Sequence, residues 1–213
     1  MPAVWLADPG GLHLQRTLAS GQTFRWRWDT SADGGNTALG VVGRHVLRLR
    51  HDDRGLWLLS PHTAAARTLL IHYLGLDRPA GEIRTIEAAL AGDVILAGVL
   101  AHTRGIAVLA QDPWEILISF IISANNNIPK ISRSIDRLAR ALGERLNGDA
   151  WAFPSPGRIA AAHPRTLAAC LLGYRAPYVR DTARLIADGR LNLSDLRAMS
   201  LEDARHRLLS VPG

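Results

Sequence analysis

The chain has 213 residues, 47% of them hydrophobic, which is enough to bury a substantial core and excludes a disordered polypeptide. Lysine and arginine outnumber aspartate and glutamate by 25 to 19, giving a sequence pI near 10.6 that suits a polyanionic partner. Lys130 is the only lysine, however, and an ordinary arginine-rich surface accounts for the charge equally well. The richest apolar run, Trp114 to Ile122, is too short to span a bilayer, so no membrane association is expected. The N-terminus carries Asp8 and no signal pattern, and the single Cys170 can form neither an internal disulfide nor a cysteine-based zinc site. A soluble, cytoplasmic protein is the expectation.

In chain order, Phe24-Arg25-Trp26-Arg27-Trp28 alternates aromatic and basic residues, and Val46-Leu47-Arg48-Leu49-Arg50 alternates apolar and basic ones. Both have the period of a half-buried strand. Between them, Asp33-Gly34-Gly35-Asn36 reads as a loose connection. Asp52-Asp53-Arg54-Gly55 reads as a turn into Leu56-Trp57-Leu58-Leu59, which closes a β-hairpin. Helices are expected near 62–74 and 82–91, so the first half is α+β with an antiparallel sheet.

From Gln111 onward the pattern is helical. Asp112-Pro113-Trp114-Glu115 combines an acceptor at the N-cap, proline at the first helical position and glutamate at the third. The following Ile116 to Ile122 is apolar on nearly every side and predicts a helix at the centre of a bundle. Asn127 is placed to cap the next helix, where Ile131, Ile135, Leu138 and Leu142 share one face and Lys130, Arg133, Arg137 and Arg140 the other. The cationic face reads either as solvated or as touching phosphate. Further helices fit 156–162, 165–172, 176–188 with Gly189 as the residue after the cap, 194–199, and 201–209 capped by Ser200.

Three local signatures occur in order: Ser20-Gly21-Gln22-Thr23-Phe24-Arg25-Trp26; Gln111-Asp112-Pro113 through Ser123-Ala124-Asn125-Asn126-Asn127-Ile128; and Leu172-Gly173-Tyr174-Arg175-Ala176-Pro177-Tyr178. Together they resemble the 8-oxoguanine DNA glycosylase family of helix-hairpin-helix base-excision enzymes. The resemblance implies an N-terminal, TBP-like twisted antiparallel sheet domain over 1–108, packed on an all-helical glycosylase domain over 109–213 that ends inside its helix-hairpin-helix. It implies damaged double-stranded DNA as the partner, a monomer, no cofactor, and a nucleoid or nuclear setting according to the cell type. His13, His45, His62, His72 and His102 show no ligand spacing, so no metal site is expected.

The chemistry of these residue types fits that role. Guanine shows a lone pair at N7, whereas 8-oxoguanine carries a hydrogen there, and a backbone carbonyl can tell them apart. The resemblance assigns that carbonyl to Gly21, where the missing Cβ lets a base approach the backbone. Flipping a base costs a few kcal/mol, so the vacated space must be filled and the orphaned cytosine held. The family pattern puts Asn125 in the gap, Tyr174 beside it as a wedge, and Arg175 and Lys130 on the cytosine's acceptors. Lysine stands at a position where the family usually has arginine, and it lacks the planar fork.

By family, base release proceeds by attack of a lysine amine on the sugar, giving a Schiff base and then strand cleavage. That lysine follows an (L/V)PGxGxK hairpin, of which Val211-Pro212-Gly213 matches the opening. The family's lysine and catalytic aspartate are expected beyond Gly213, so no catalytic residue is assigned and the 213 residues alone are expected to be inactive, either as a fragment or as a lesion-binding remnant. An alkylpurine glycosylase of the same superfamily is the alternative enzyme; it has no need of the Gly21 carbonyl.

Overall fold

A computed structural model describes residues 3–7, 11–29, 37–79 and 81–213, apart from the side chain of Ile83. The connection expected at Asp33-Gly34-Gly35-Asn36 and the N-terminal Asp8 lie outside the described residues. The chain divides into two compact units, Met1–Ala110 and Gln111–Gly213. The architecture is α+β: one five-stranded antiparallel sheet in the first unit and helices throughout the second. No helix among the described residues is long and apolar enough to cross a membrane.

In the first unit the sheet consists of β1 (Val4–Ala7), β2 (Trp26–Asp29), β3 (Thr37–Val42), β4 (His45–Asp52) and β5 (Gly55–Ser60), in the order β1-β5-β4-β3-β2. The β4–β5 hairpin closes with Asp52 opposite Gly55, as the turn sequence predicts. Leucine alternation sets its inward face, since Leu47, Leu49, Leu56 and Leu58 are almost fully buried. Each such side chain contributes roughly 1.5–3 kcal/mol by leaving water. Between them, outward Arg50 lies 5.6 Å from the Trp57 ring, and the Trp57 indole donates to Asp52 at 3.0 Å. That bond holds the Asp52 carboxyl below the usual carboxylate range.

Helices α1 (Leu14–Ala19) and α2 (Ala64–Tyr73) supply Leu14, Leu18, Ala66 and Leu70 to the same core. Helices α3 (Glu82–Leu90) and α4 (Val94–Thr103) follow. The aromatic–basic strand is shorter than expected. Phe24 and Arg25 form a bend rather than strand, because the preceding Gly21 has φ +86° and turns the chain. Trp26 lies flat over Gly40 of the neighbouring strand, leaving no room there for a side chain.

The second unit contains α5 (Pro113–Ser123), α6 (Ile128–Leu142), α7 (Pro156–Ala160), α8 (Pro164–Ala169), α9 (Ala176–Ala187) and α10 (Leu201–Leu209), with single 3₁₀ turns at Gly173–Arg175 and Asp195–Ala198. The caps are those expected from sequence: Asp112 accepts from Glu115 N, Asn127 from Lys130 N, and Ser200 from Asp203 N. Helix α9 packs on α7 and α5, and α5 on α6. The core of this unit gathers Ile118, Ile122, Ile135, Leu138, Ile159 and Val179.

Two expectations are corrected. Helix α5 is not enclosed on every side: α6 and α9 cover Ile118, Ile121 and Ile122, while Phe120 is 74% exposed. On α6, Leu142 is only half-buried because it sits at the last turn.

Replacing Gly40 with alanine drives a methyl into the Trp26 indole, a rigid neighbour, and should destabilise the first unit by about 1–3 kcal/mol. Hydrogen exchange of the β3 and β4 amides in urea checks this; unchanged protection would mean the indole can move aside.

Candidate nucleic-acid interface

The Gly21 segment is held by side chains on both sides of it. Ser20 ends α1, and Gly21 then takes the left-handed φ that glycine tolerates. The Gln22 amide nitrogen donates to Ser20 Oγ (2.9 Å), Ala107 O (2.9 Å) and Thr17 O (3.3 Å), and its oxygen accepts from Leu109 N at 2.8 Å. The Trp26 indole donates to the Tyr73 hydroxyl (3.0 Å), which donates to Thr23 Oγ1 (3.1 Å). The motif from Ser20 to Trp26 is thus largely a set of fastenings for the Gly21 backbone. Gln22, Thr23 and Trp26 fix where that backbone lies.

In the second unit the three asparagines between α5 and α6 do three different things. Asn126 Nδ2 donates to Ile122 O (2.9 Å) at the end of α5, while its Oδ1 accepts from Asn127 N (3.0 Å). Asn127 Oδ1 caps α6 by accepting from Lys130 N at 3.0 Å. Asn125 remains, exposed, with φ +47° and no side-chain hydrogen bond to any described residue. Sequence reasoning gives Asn127 only a capping role, and capping is what it does here. The structural duty of Asn126 had no local signal.

Tyr174 and Arg175 converge on the same turn. The Tyr174 hydroxyl donates to Ala124 O (3.2 Å), and its ring, 56% exposed, stands edge-on to Tyr178 with centroids 6.5 Å apart. Arg175 bonds the backbone of the same turn. It is only 4% exposed. Its Nε donates to Ala124 O (2.7 Å), its Nη2 to Ala124 O and to Asn125 O (2.7 Å), and its Nη1 to Leu172 O (3.4 Å). A guanidinium taken out of water needs such acceptors, and three backbone carbonyls supply them.

Asn125, Tyr174 and Arg175 are therefore brought together at one junction. Lys130 lies in the first turn of α6 with its side chain exposed, and Gly21 lies in the other unit. The cationic face of α6 is partly committed. Arg140 binds Asp136 (2.8 Å) and Asp149 (2.8 Å) and stacks 4.4 Å from the Trp151 ring, so it is not a free charge. Arg137 donates to Ala169 O (3.1 Å) and Arg133 to Pro129 O (3.3 Å), which leaves their charges unneutralised. Sequence reasoning also missed Ser134, fully buried, which donates to the carbonyl of left-handed Leu171 at 3.3 Å. Among the described residues no group of three or more histidine, cysteine or acidic side chains is arranged to hold a metal.

A family model of the 8-oxoguanine DNA glycosylase N-terminal domain matches residues 6–117, just over half of the chain. The chain belongs to the 8-oxoguanine DNA glycosylase family. It is 30% identical over 214 residues to the N-glycosylase/DNA lyase OGG1 of Arabidopsis thaliana, covering 95% of this chain and 57% of that relative. The N-glycosylase/DNA lyase of Saccharomyces cerevisiae is 30% identical over 226 residues, with 95% and 59% covered. The structure of Clostridium acetobutylicum 8-oxoguanine glycosylase/lyase in complex with duplex DNA containing cytosine opposite 8-oxoguanine is similar at a TM-score of 0.85 and 28% identity, over 94% of this chain and 68% of that one. The chain spans somewhat less than two thirds of the length of these curated relatives.

Gln22→Ala leaves Leu109 N–H and Ala107 O without their partner, a loss of about 1–3 kcal/mol for each buried group. The Leu109 amide should exchange at least about tenfold faster, since 1.4 kcal/mol is a factor of ten. Unchanged exchange would show that Gln22 does not hold the segment.

Proposed function

We propose that this chain serves base-excision repair: it binds double-stranded DNA and receives a flipped 8-oxoguanine as the substrate of an N-glycosylase with associated lyase activity. The observation that most supports this reading is the junction of α5 and α6, where an exposed, unbonded amide at Asn125 stands beside the exposed ring of Tyr174, whose hydroxyl donates to the neighbouring Ala124 carbonyl. A duplex that has lost one base to flipping offers a gap for an amide and a step for a flat ring. In the first unit, the Gly21 carbonyl accepts the N7 hydrogen that 8-oxoguanine carries and guanine lacks. Lys130 supplies donors to the orphaned cytosine. No metal or cofactor takes part in this reading.

The nucleophile is assigned to a lysine of the hairpin whose opening Val211-Pro212-Gly213 matches, not to Lys130, whose motif position faces the orphaned base.

The test is anisotropy binding with duplexes carrying 8-oxoguanine opposite cytosine, undamaged guanine, or an alkylated purine. The reading requires preference for the first. Tyr174→Ala and Asn125→Ala should each weaken binding to the 8-oxoguanine duplex by about tenfold or more while changing binding to undamaged DNA far less. Equal losses on both duplexes would remove the wedge and gap roles, and a preference for the alkylated purine would move the protein to the alkylpurine class.

A further inference from the structure

We propose that Thr17 is a positioning residue for lesion discrimination: its buried hydroxyl laces α1 to the segment 104–110 and so fixes where the Gly21 carbonyl stands. The consequence for DNA rests on the function proposed above. The lacing itself belongs to the first unit alone.

The segment 104–110 has the alternation of an edge strand, with Ala107 and Leu109 buried in the core of Leu14 and Leu18 while Val108 is 68% exposed. In a paired strand, every second residue gives its N–H and C=O to the neighbouring backbone. Here side chains of α1 and of the Gly21 segment take most of that part. Arg16 Nη1 donates to Arg104 O (3.2 Å), and Gly105 O accepts from His13 N (2.7 Å) and from Thr17 Oγ1 (3.2 Å). Ala107 N donates to Thr17 Oγ1 (3.1 Å), Ala107 O accepts from Gln22, and Leu109 N donates to Gln22. Thr17 and Gln22 thus stand in for a strand, one on each side of Gly21 in sequence.

Thr17 is fully buried, so solvent does not compete for its bonds. A hydroxyl both donates and accepts, and this one spends both capacities on the same stretch of chain. Valine has the same shape and neither capacity. The Thr17 carbonyl meanwhile accepts from Ser20 Oγ (2.9 Å) and Gln22 Nε2 (3.3 Å), the two neighbours of Gly21. One residue therefore ties both flanks of Gly21 to the 104–110 segment. The effect falls on discrimination more than on affinity at large. A carbonyl that accepts the N7 hydrogen of 8-oxoguanine is repelled by the N7 lone pair of guanine, and the hydrogen bond weakens steeply once its geometry is lost. Displacing that carbonyl narrows the difference between damaged and undamaged duplex from both sides.

The test uses the 213-residue chain, its T17V and T17S variants, and duplexes with 8-oxoguanine or guanine opposite cytosine. It also follows the carbonyl-carbon resonance of Gly21 in the free protein. T17V should cut the preference for the damaged duplex by about three- to tenfold, the net worth of one hydrogen bond, while T17S keeps it within about twofold. The Gly21 resonance should move in T17V and stay in place in T17S. Equal losses on both duplexes mean a merely structural role and overturn the proposal, as does a T17V chain whose preference or Gly21 resonance is unchanged. A T17S chain that behaves like T17V overturns it too, because the hydroxyl is then not what matters. If T17V does not fold, T17A takes its place with the same expectation. If neither folds, exchange in the unmutated chain decides: an Ala107 amide as protected as those of α1 sustains the lacing, and one exchanging like an open loop overturns it. If the unmutated chain shows no preference for 8-oxoguanine, the function proposed above fails, while the Gly21 resonance in T17V against T17S still decides the positioning.

Discussion

One backbone carbonyl, that of Ala124, ties together the junction between α5 and α6. It accepts from Arg175 and from the Tyr174 hydroxyl, and it ends a helix whose next residue must turn left-handed. Carbonyls at a helix C-terminus are unsatisfied within the helix, and here the partner is a buried cation rather than water. Asn126 satisfies a further carbonyl of the last turn, that of Ile122. With both helix ends provided for, Asn125 can stay exposed and strained without unravelling either helix.

The first unit solves a similar problem with a neutral group. Gln22 uses both ends of its amide to fasten the chain beside Gly21 to the segment around Ala107 and Leu109. In each unit the residue with a proposed DNA role makes few contacts itself, and a neighbour in the same motif does the holding. That division explains why the motifs are longer than their chemistry requires. A contact residue held on unrestrained backbone would have to be ordered at the moment of binding, which costs roughly 1–2 kcal/mol per residue.

Features fixed by local bonds were legible in the sequence. The caps at Asp112, Asn127 and Ser200 each bind an amide three residues away, and the Asp52–Gly55 turn is equally local. Leucine alternation on β4 and β5 gave the buried face. Other elements were hidden because their partners are distant or their signals atypical. Strand β1 exists only by pairing with β5, some fifty residues on. Helix α1 is capped by His13, a residue type that rarely announces a helix. Helix α4 is apolar over most of its length yet leaves Val94 and Ile95 exposed, so its periodicity gave no face to find. In the candidate site, the nearness of Asn125 and Tyr174 was legible through the motif, while their roles stay proposals. The burial of Arg175 was not, since the carbonyls that accept from its guanidinium include those of Ala124 and Asn125, some fifty residues away.

The central claim is that the α5–α6 turn, proposed to meet DNA, is built before DNA arrives. The backbone conformation of Asn125 in the free chain, read from its carbon chemical shifts and compared with the complex with an 8-oxoguanine duplex, tests this most directly. The account predicts left-handed values in the free protein that change little on binding, in keeping with φ +47°. Averaged, unstructured values that become left-handed only in the complex would contradict it.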